Sequence, residues 1–189
     1  LGSVRTAHSV NSPDQLKPFH TCLVMPEGLI SESVLLARCA ADAARAMPEI
    51  RFRVRLHPLL KPDQVEKAAG DLKSAPANFS WSTGSLAEDL ASARWTLYRG
   101  TTAVIPAVLS GLKPIHLADS EGGLSFDPLA ALATWRETAS SARQLAEIIS
   151  RDIAEPDMDR QVKYEAARAY CKACFMPVDL AVLEAAIGN

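Results

Sequence analysis

The chain has 189 residues, 48% of them hydrophobic and 22% charged, which is ample for one domain with its own core and short for two full ones. A formal charge of -2 gives no general electrostatic reason to bind nucleic acid or an anionic membrane, and no run of about 18 apolar residues is present to span a bilayer. The four cysteines, Cys22, Cys39, Cys171 and Cys174, are too few and too unevenly placed for a disulfide scaffold and fit a reducing, cytoplasmic setting.

The first twenty residues are mostly polar, start at Leu1 and hold no apolar signal segment. Residues 1–20 therefore read as a leader or linker from a larger protein, and residues 21–189 as the folded domain. CLVM, Cys22 to Met25, predicts a first strand, broken by Pro26-Glu27-Gly28. From Ser31 to Met47 the residues Leu35, Leu36, Cys39, Ala40, Ala43 and Met47 recur at helical spacing. RFRVRLHP, Arg51 to Pro58, alternates as a second strand, with Phe52, Val54 and Leu56 on one face and Arg51, Arg53, Arg55 and His57 on the other. Pro62 suits the first position of a helix running to about Leu72, where its missing N–H has no partner in any case.

Asn78 to Ser82 predicts a third strand, and Ser85-Leu86-Ala87-Glu88 is a capping box that starts the next helix. Thr96 to Tyr98 makes a fourth strand, a turn and helix follow, and Pro114 to Ala118 makes a fifth. The tail is helical: one helix from Ser141 with Gln144 at capping distance, one from Asp157 to about Phe175, one from Pro177 to about Ile187. Cys171 and Cys174 have two-cysteine redox or zinc spacing, but no second pair lies nearby, and the pair reads as half-buried helical thiols. This alternation implies an α/β fold: a three-layer α/β/α, Rossmann-like domain with a parallel sheet and a helical C-terminal tail. Right-handed crossovers and a switch point place the first and fourth strands side by side at its centre.

In such a sheet ligands bind beyond the carboxyl ends of the strands, where helix N-termini present unpaired N–H groups. Glu27 and Gly28 follow the first strand, His57 and Pro58 the second, Arg99, Gly100, Thr101 and Thr102 the fourth, and Asp119 the fifth. Gly100 lets backbone approach a ligand, and the two threonines offer hydroxyls and N–H groups to a phosphate; the same residues also fit an ordinary glycine turn with a threonine cap. His57 is suited to donate to a phosphate or sugar oxygen, to act as a base, or to serve structurally. Arg51, Arg53 and Arg55 read as snorkelling side chains, with Arg55 the best placed to reach a ligand. Neither G-x-G-x-x-G nor the P-loop pattern occurs. No catalytic residue and no metal-ligand set is assigned.

RLHP after the second strand, SLAEDLASARW before the fourth and RGTTAVIPAVLSGLKPIHL after it resemble the C-terminal, nucleotide-sugar-binding half of glycosyltransferases built from two Rossmann-like domains, the GT-B architecture, of the capsule and surface-polysaccharide type. Asp127-Pro128-Leu129, Trp135-Arg136-Glu137 and the helix from Ser141 to Ile149 resemble that group's later elements. The resemblance implies a nucleotide-sugar donor as substrate, no obligatory cofactor or metal, and a second Rossmann-like domain that supplies the catalytic base and the pocket for a glycan acceptor. An isolated half would then bind without turnover. It further implies that Arg99, the Thr101 and Thr102 N–H groups and His57 neutralise the departing diphosphate. One position departs from the pattern: Pro106 stands where the group often has a glutamate that holds the donor, and Glu27 is either the carboxylate that substitutes for it or a solvated loop residue. A nucleotide-sugar epimerase, a polyol-phosphate transferase and a non-catalytic assembly domain of the same fold are the alternatives.

Overall fold

Segments too short and apolar to stand alone satisfy their backbones by pairing with one another. In the computed structural model, which describes residues 20–118 and 126–174, Thr21–Met25 (β1), Arg51–Val54 (β2), Phe79–Trp81 (β3), Trp95–Tyr98 (β4), Lys113–Leu117 (β5) and Glu137–Ala139 (β6) form one six-stranded sheet. Every pairing is parallel, and the order is β3-β2-β1-β4-β5-β6. The expected adjacency of first and fourth strands is met, with Met25 opposite Tyr98. Both strands are buried along their whole length, the mark of a central parallel strand covered on two faces.

Helices Ile30–Ala46 (α1), Pro62–Ala69 (α2), Leu86–Ser92 (α3), Val104–Leu109 (α4), Ala142–Ala154 (α5) and Asp157–Ala173 (α6) supply the outer layers. On one face α1 and α5 bury Leu36, Ala40, Leu145 and Ile149 against Val24, Phe52, Leu97 and Ile115, and α2 packs on the alanine side of α1 through Val65 and Ala69. Alanines at 40, 43 and 44 let α1 lie close to the strands, and those at 37 and 41 let α2 approach it, because a methyl group needs little space. On the other face α3 and α4 cover Leu23 and Met25, and α6 joins α4 around Tyr98, Trp135 and Tyr164.

Local chemistry sets the boundaries. Ser85 accepts from the Glu88 N–H while the Glu88 carboxylate accepts from Ser85 N–H, so α3 starts where its capping box stands. Ser141 caps α5 through the Gln144 N–H. The expected helix to Leu72 stops at Ala69, because Gly70 turns left-handed (φ 68°) and a 3₁₀ turn, Asp71–Ser74, follows. Asn78 donates through Nδ2 to the carbonyls of Ala44, Met47 and Ile50, satisfying the end of α1. β6 is an addition to the five expected strands. It follows Trp135, whose φ of 70° is unusual for a bulky residue and is held by an Nε1 bond to the Leu112 carbonyl at 3.0 Å.

The amino ends of β4 and β5 carry an ionic cluster. Asp152, 1% exposed, accepts from Trp95 Nε1 at 2.8 Å and Arg94 Nε at 3.1 Å, and meets Lys113 Nζ at 3.2 Å and Arg160 Nε at 3.3 Å. Cys171 is buried, which pushes its thiol up to about 12, and Cys174 is exposed. No helix among the described residues is long and apolar enough to cross a membrane. The expected helix from Pro177 lies outside the described residues.

Candidate functional site

Three loops leave the carboxyl edge of β2, β1 and β4 side by side, which follows from the strand order. The first holds His57, the second Glu27 and Gly28, the third Gly100, Thr101 and Thr102. His57 is exposed, and its Nδ1 accepts from the Leu59 N–H at 3.3 Å, which directs the ring proton to Nε2. A Cβ placed on Gly28 would lie 3.4 Å from His57 Nδ1, so the β1 and β2 loops touch. The β1 and β4 loops touch as well: a Cβ on Gly100 would overlap Glu27 Oε1 and sit 2.5 Å from its Cδ. Gly100 also has a φ of 73°, the left-handed region that side chains disfavour. The backbone angle favours glycine there, while the contact with Glu27 could be relieved by moving that flexible side chain.

The helix after this turn starts later than expected. Thr101 and Thr102 precede it: Ala103 is the N-cap and Val104 the first helical residue. Thr101 Oγ1 accepts from the Ala103 N–H at 3.3 Å, while the carbonyls of Thr101 and Thr102 accept from Val104 and Ile105. Among the described residues, no hydrogen bond takes up the N–H groups of Thr101 or Thr102. Pro106 is the third residue of α4, within the first turn, where a helix has no partner for its N–H groups. Its lack of a donor therefore costs the helix no bond.

Arg99 and Arg55 are already paired within the domain. Arg99 is 4% exposed, and its Nε meets Glu32 Oε2 in the first turn of α1 at 3.1 Å, an ion pair that ties α1 to the Gly100 turn. Arg55 Nη1 donates to Asp89 Oδ2 and the Gly84 carbonyl, both at 2.8 Å, and Asp89 is itself 2% exposed and also paired with Arg53. Arg55 and Arg53 thus latch α3 onto β2. Arg55→Ala is expected to lower stability by about 1.5–3 kcal/mol, the range for lost hydrogen bonds to a charged group, which thermal melts check. Asp119 lies outside the described residues.

Two features were not singled out from the sequence. A hollow of about 160 Å³ opens between the ends of β2 and β3, walled by Arg55, His57, Pro58, Trp81, Ser82 and Gly84. The small polar residues ending β3 were its signal. A roomier groove of about 410 Å³ beside Arg51, Arg53 and Asn78 lies at the opposite, amino end of β2, away from the edge where ligands of parallel sheets collect. The other feature is a polar brace beside Tyr98, the residue that ends β4. Asp127 Oδ1 accepts from Tyr98 Oη at 2.7 Å and the Leu129 N–H at 2.9 Å, and its Oδ2 from Arg136 Nε at 2.7 Å. The Asp-Pro-Leu and Trp-Arg-Glu segments are thereby joined. Burial opposes ionisation of Asp127, but these bonds and the Arg136 charge outweigh it and hold the carboxyl below its usual range. His116 stacks edge-on against Tyr98 at 5.4 Å, and burial, opposed by Asp127 and aided by Arg136 and Arg99, holds its imidazole below the ordinary value. Among the described residues, no three His, Cys, Asp or Glu side chains gather as a metal-ligand set.

The strand order and the place of this turn define a Rossmann-like α/β domain. No protein-family model matches the sequence, and no curated protein matches it. Among solved structures the fold is similar to that of CalG4, the calicheamicin glycosyltransferase, with a TM-score of 0.59 and 19% identity over 92% of this chain and 43% of that one. It is similar to TarM (TM-score 0.61, 12% identity, 94% of this chain and 36% of that one). It is also similar to the UDP-GlcNAc 2-epimerase from Neisseria meningitidis bound to UDP-GlcNAc (TM-score 0.55, 16% identity, 90% and 44%). The chain spans less than half the length of each of these three proteins.

Proposed function

We propose that this chain is the donor-binding domain of a glycosyltransferase made of two Rossmann-like halves, one that takes a sugar from a nucleotide-activated donor during surface-polysaccharide synthesis. The observation that carries the proposal is the Gly100 turn: its Thr101 and Thr102 N–H groups lack acceptors among the described residues, and it stands at the switch point between β1 and β4. Likeness of fold to CalG4, a glycosyltransferase, supports it.

In this scheme the donor's phosphate lies against the turn and receives the two N–H groups and the exposed Thr102 hydroxyl. His57 donates from Nε2 across the neighbouring loop. Fixed donors of this kind stabilise the charge that collects on the phosphate as the sugar leaves. The hollow between β2 and β3 has room for a single ring and takes the nucleobase. Arg99, held by Glu32, acts from behind by fixing the turn. The acceptor and the catalytic base belong to a second domain, so this half binds the donor without turning it over.

Titration calorimetry with UDP, CDP, GDP and CMP tests the reading. Binding of at least one of them is expected, and silence with all four would sink it. His57→Ala is expected to weaken binding of the preferred nucleoside diphosphate roughly tenfold, as for a lost hydrogen bond to a charged group, and that of the bare nucleoside much less. Equal losses would remove His57 from the phosphate. A second reading, a non-catalytic assembly domain, is favoured by Pro106 in place of a carboxylate and by the burial of Arg99, and it predicts no binding of any nucleotide.

A further inference from the structure

Parallel sheets are normally packed on both faces, and on the α1 side β2 and β3 obey the rule: Phe52 and Val54 are buried there, with Phe79 and Trp81 packed against the same cluster. On the other side α3 lies over Leu23 and Met25 of β1, and alternation along the strands sends Arg51, Arg53 and Ser80 outward. The groove of about 410 Å³ at the amino end of β2 is lined by these three residues and by Pro48, Glu49 and Asn78. Its polar groups have spare bonding capacity. Arg51 is exposed and, among the described residues, makes no hydrogen bond or ion pair. Arg53 uses Nη1 for Asp89 and Ser92, which steadies the guanidinium and leaves Nε and Nη2. Asn78 gives Nδ2 to three carbonyls and keeps Oδ1 as an acceptor. The Ser80 hydroxyl and the Glu49 carboxylate are exposed and, among the described residues, unbonded.

We propose that this groove is a second binding site, for an oligosaccharide that carries carboxylate groups. The inference is independent of the donor reading, because the groove lies at the opposite end of the sheet from the Gly100 turn. A guanidinium takes a carboxylate through two parallel N–H bonds, and residues 51 and 53, on one face of the strand, stand about 7 Å apart. Ser80, Asn78 and Glu49 supply the acceptors that sugar hydroxyls need. On a sugar chain the carboxylates are separated by hydroxyl-bearing carbons, so a hydroxyl can face Glu49 while a carboxylate meets Arg51. A continuously charged chain such as polyphosphate would instead set its charge against Glu49. A peptide partner would need large apolar anchors, and none of the exposed large apolar side chains of the described residues lines the groove.

Calorimetry of the 189-residue chain with oligogalacturonate, a neutral maltooligosaccharide, polyglutamate and polyphosphate tests the site, with a thermal melt of each sample to establish folding. Oligogalacturonate is expected to bind, more weakly as salt is raised, and the neutral chain is expected not to. Arg51→Gln, at an exposed position, is expected to keep the melting temperature and to weaken oligogalacturonate binding roughly tenfold or more, as for lost hydrogen bonds to a charged group. Arg51→Lys keeps the charge without the planar fork and should recover only part of that loss. Arg53 is left unaltered, because its removal would strip Asp89 of a partner. Absence of oligogalacturonate binding by the folded chain, or undiminished binding by folded Arg51→Gln, would overturn the site. Polyglutamate or polyphosphate binding as tightly as oligogalacturonate would show that the groove reads charge alone and would overturn the sugar assignment.

Discussion

Replacing Asp152 with alanine is expected to cost the domain about 3–5 kcal/mol, the range measured when one partner of a buried ion pair is removed and the other charges stay behind. Lys113 and Arg160 are almost fully buried with it and meet its Oδ1, and Arg94 and the Trp95 indole both donate to its Oδ2. Without the carboxylate, Lys113 retains Glu137 and Glu155 at 3.4 and 3.9 Å, and Arg160 retains a single exposed aspartate at 3.6 Å. The effect should also depend on pH. Burial raises the Asp152 carboxyl, but Lys113, Arg160, the Trp95 N–H and Arg94 together overcome it and hold the group below its ordinary value. A carboxylate depressed on folding stabilises the protein above its unfolded value, about 3.9, and that contribution disappears as the pH falls through the lower, folded value. Asp152→Asn should therefore flatten the acid side of the stability profile. Urea unfolding between about pH 3 and pH 7 measures both effects, and a loss below about 1 kcal/mol for the alanine variant would show that the surrounding groups rearrange without it.

That cluster lies at the end of the sheet opposite the Gly100 turn, and its composition explains what the sequence made legible. Strands buried on both faces announce themselves as apolar runs, so CLVM and the two strands flanking the Gly100 helix were readable one by one. The capping serines, Ser85 and Ser141, were equally readable, because each partner lies three residues away. Partners distant in the chain were not. Arg99 reads as a cation beside a phosphate turn, yet its side chain is claimed by Glu32 on α1, and Arg55 is claimed by Asp89 on α3. β6 escaped notice because Glu-Thr-Ala has one apolar residue and is a strand through the backbone of β5. The sequence placed Glu27, Gly28, His57 and Gly100 at strand ends, and the topology alone brings them into contact.

Gly100→Ala is expected to abolish nucleotide binding and to lower stability by about 1–2 kcal/mol, the cost of holding an L-residue in the left-handed region. The stability loss follows from the φ of 73°. It means that the more drastic Gly100→Val, with a branched side chain in the same conformation, would confound lost binding with lost folding. The binding loss has a separate origin: the new methyl adds bulk to the turn against which the donor's phosphate is proposed to lie, in space now bordered by Glu27. Gly100→Asn separates the two, since asparagine tolerates the left-handed conformation better than other side-chain-bearing residues yet fills the same space. It should remain closer to the unaltered melting temperature and still fail to bind. Thr102→Ala should cost about 0.5–1.5 kcal/mol of binding, because a neutral hydroxyl is lost while the backbone N–H groups remain, and Thr101→Ala, whose hydroxyl accepts from the Ala103 N–H, should lower stability instead. Affinity and melting temperature measured on the same samples decide the matter. If the turn is a structural bend alone, the folded fraction of Gly100→Asn binds nucleotide as the unaltered chain does. If it seats the phosphate, Gly100→Asn stays folded and loses nucleotide affinity.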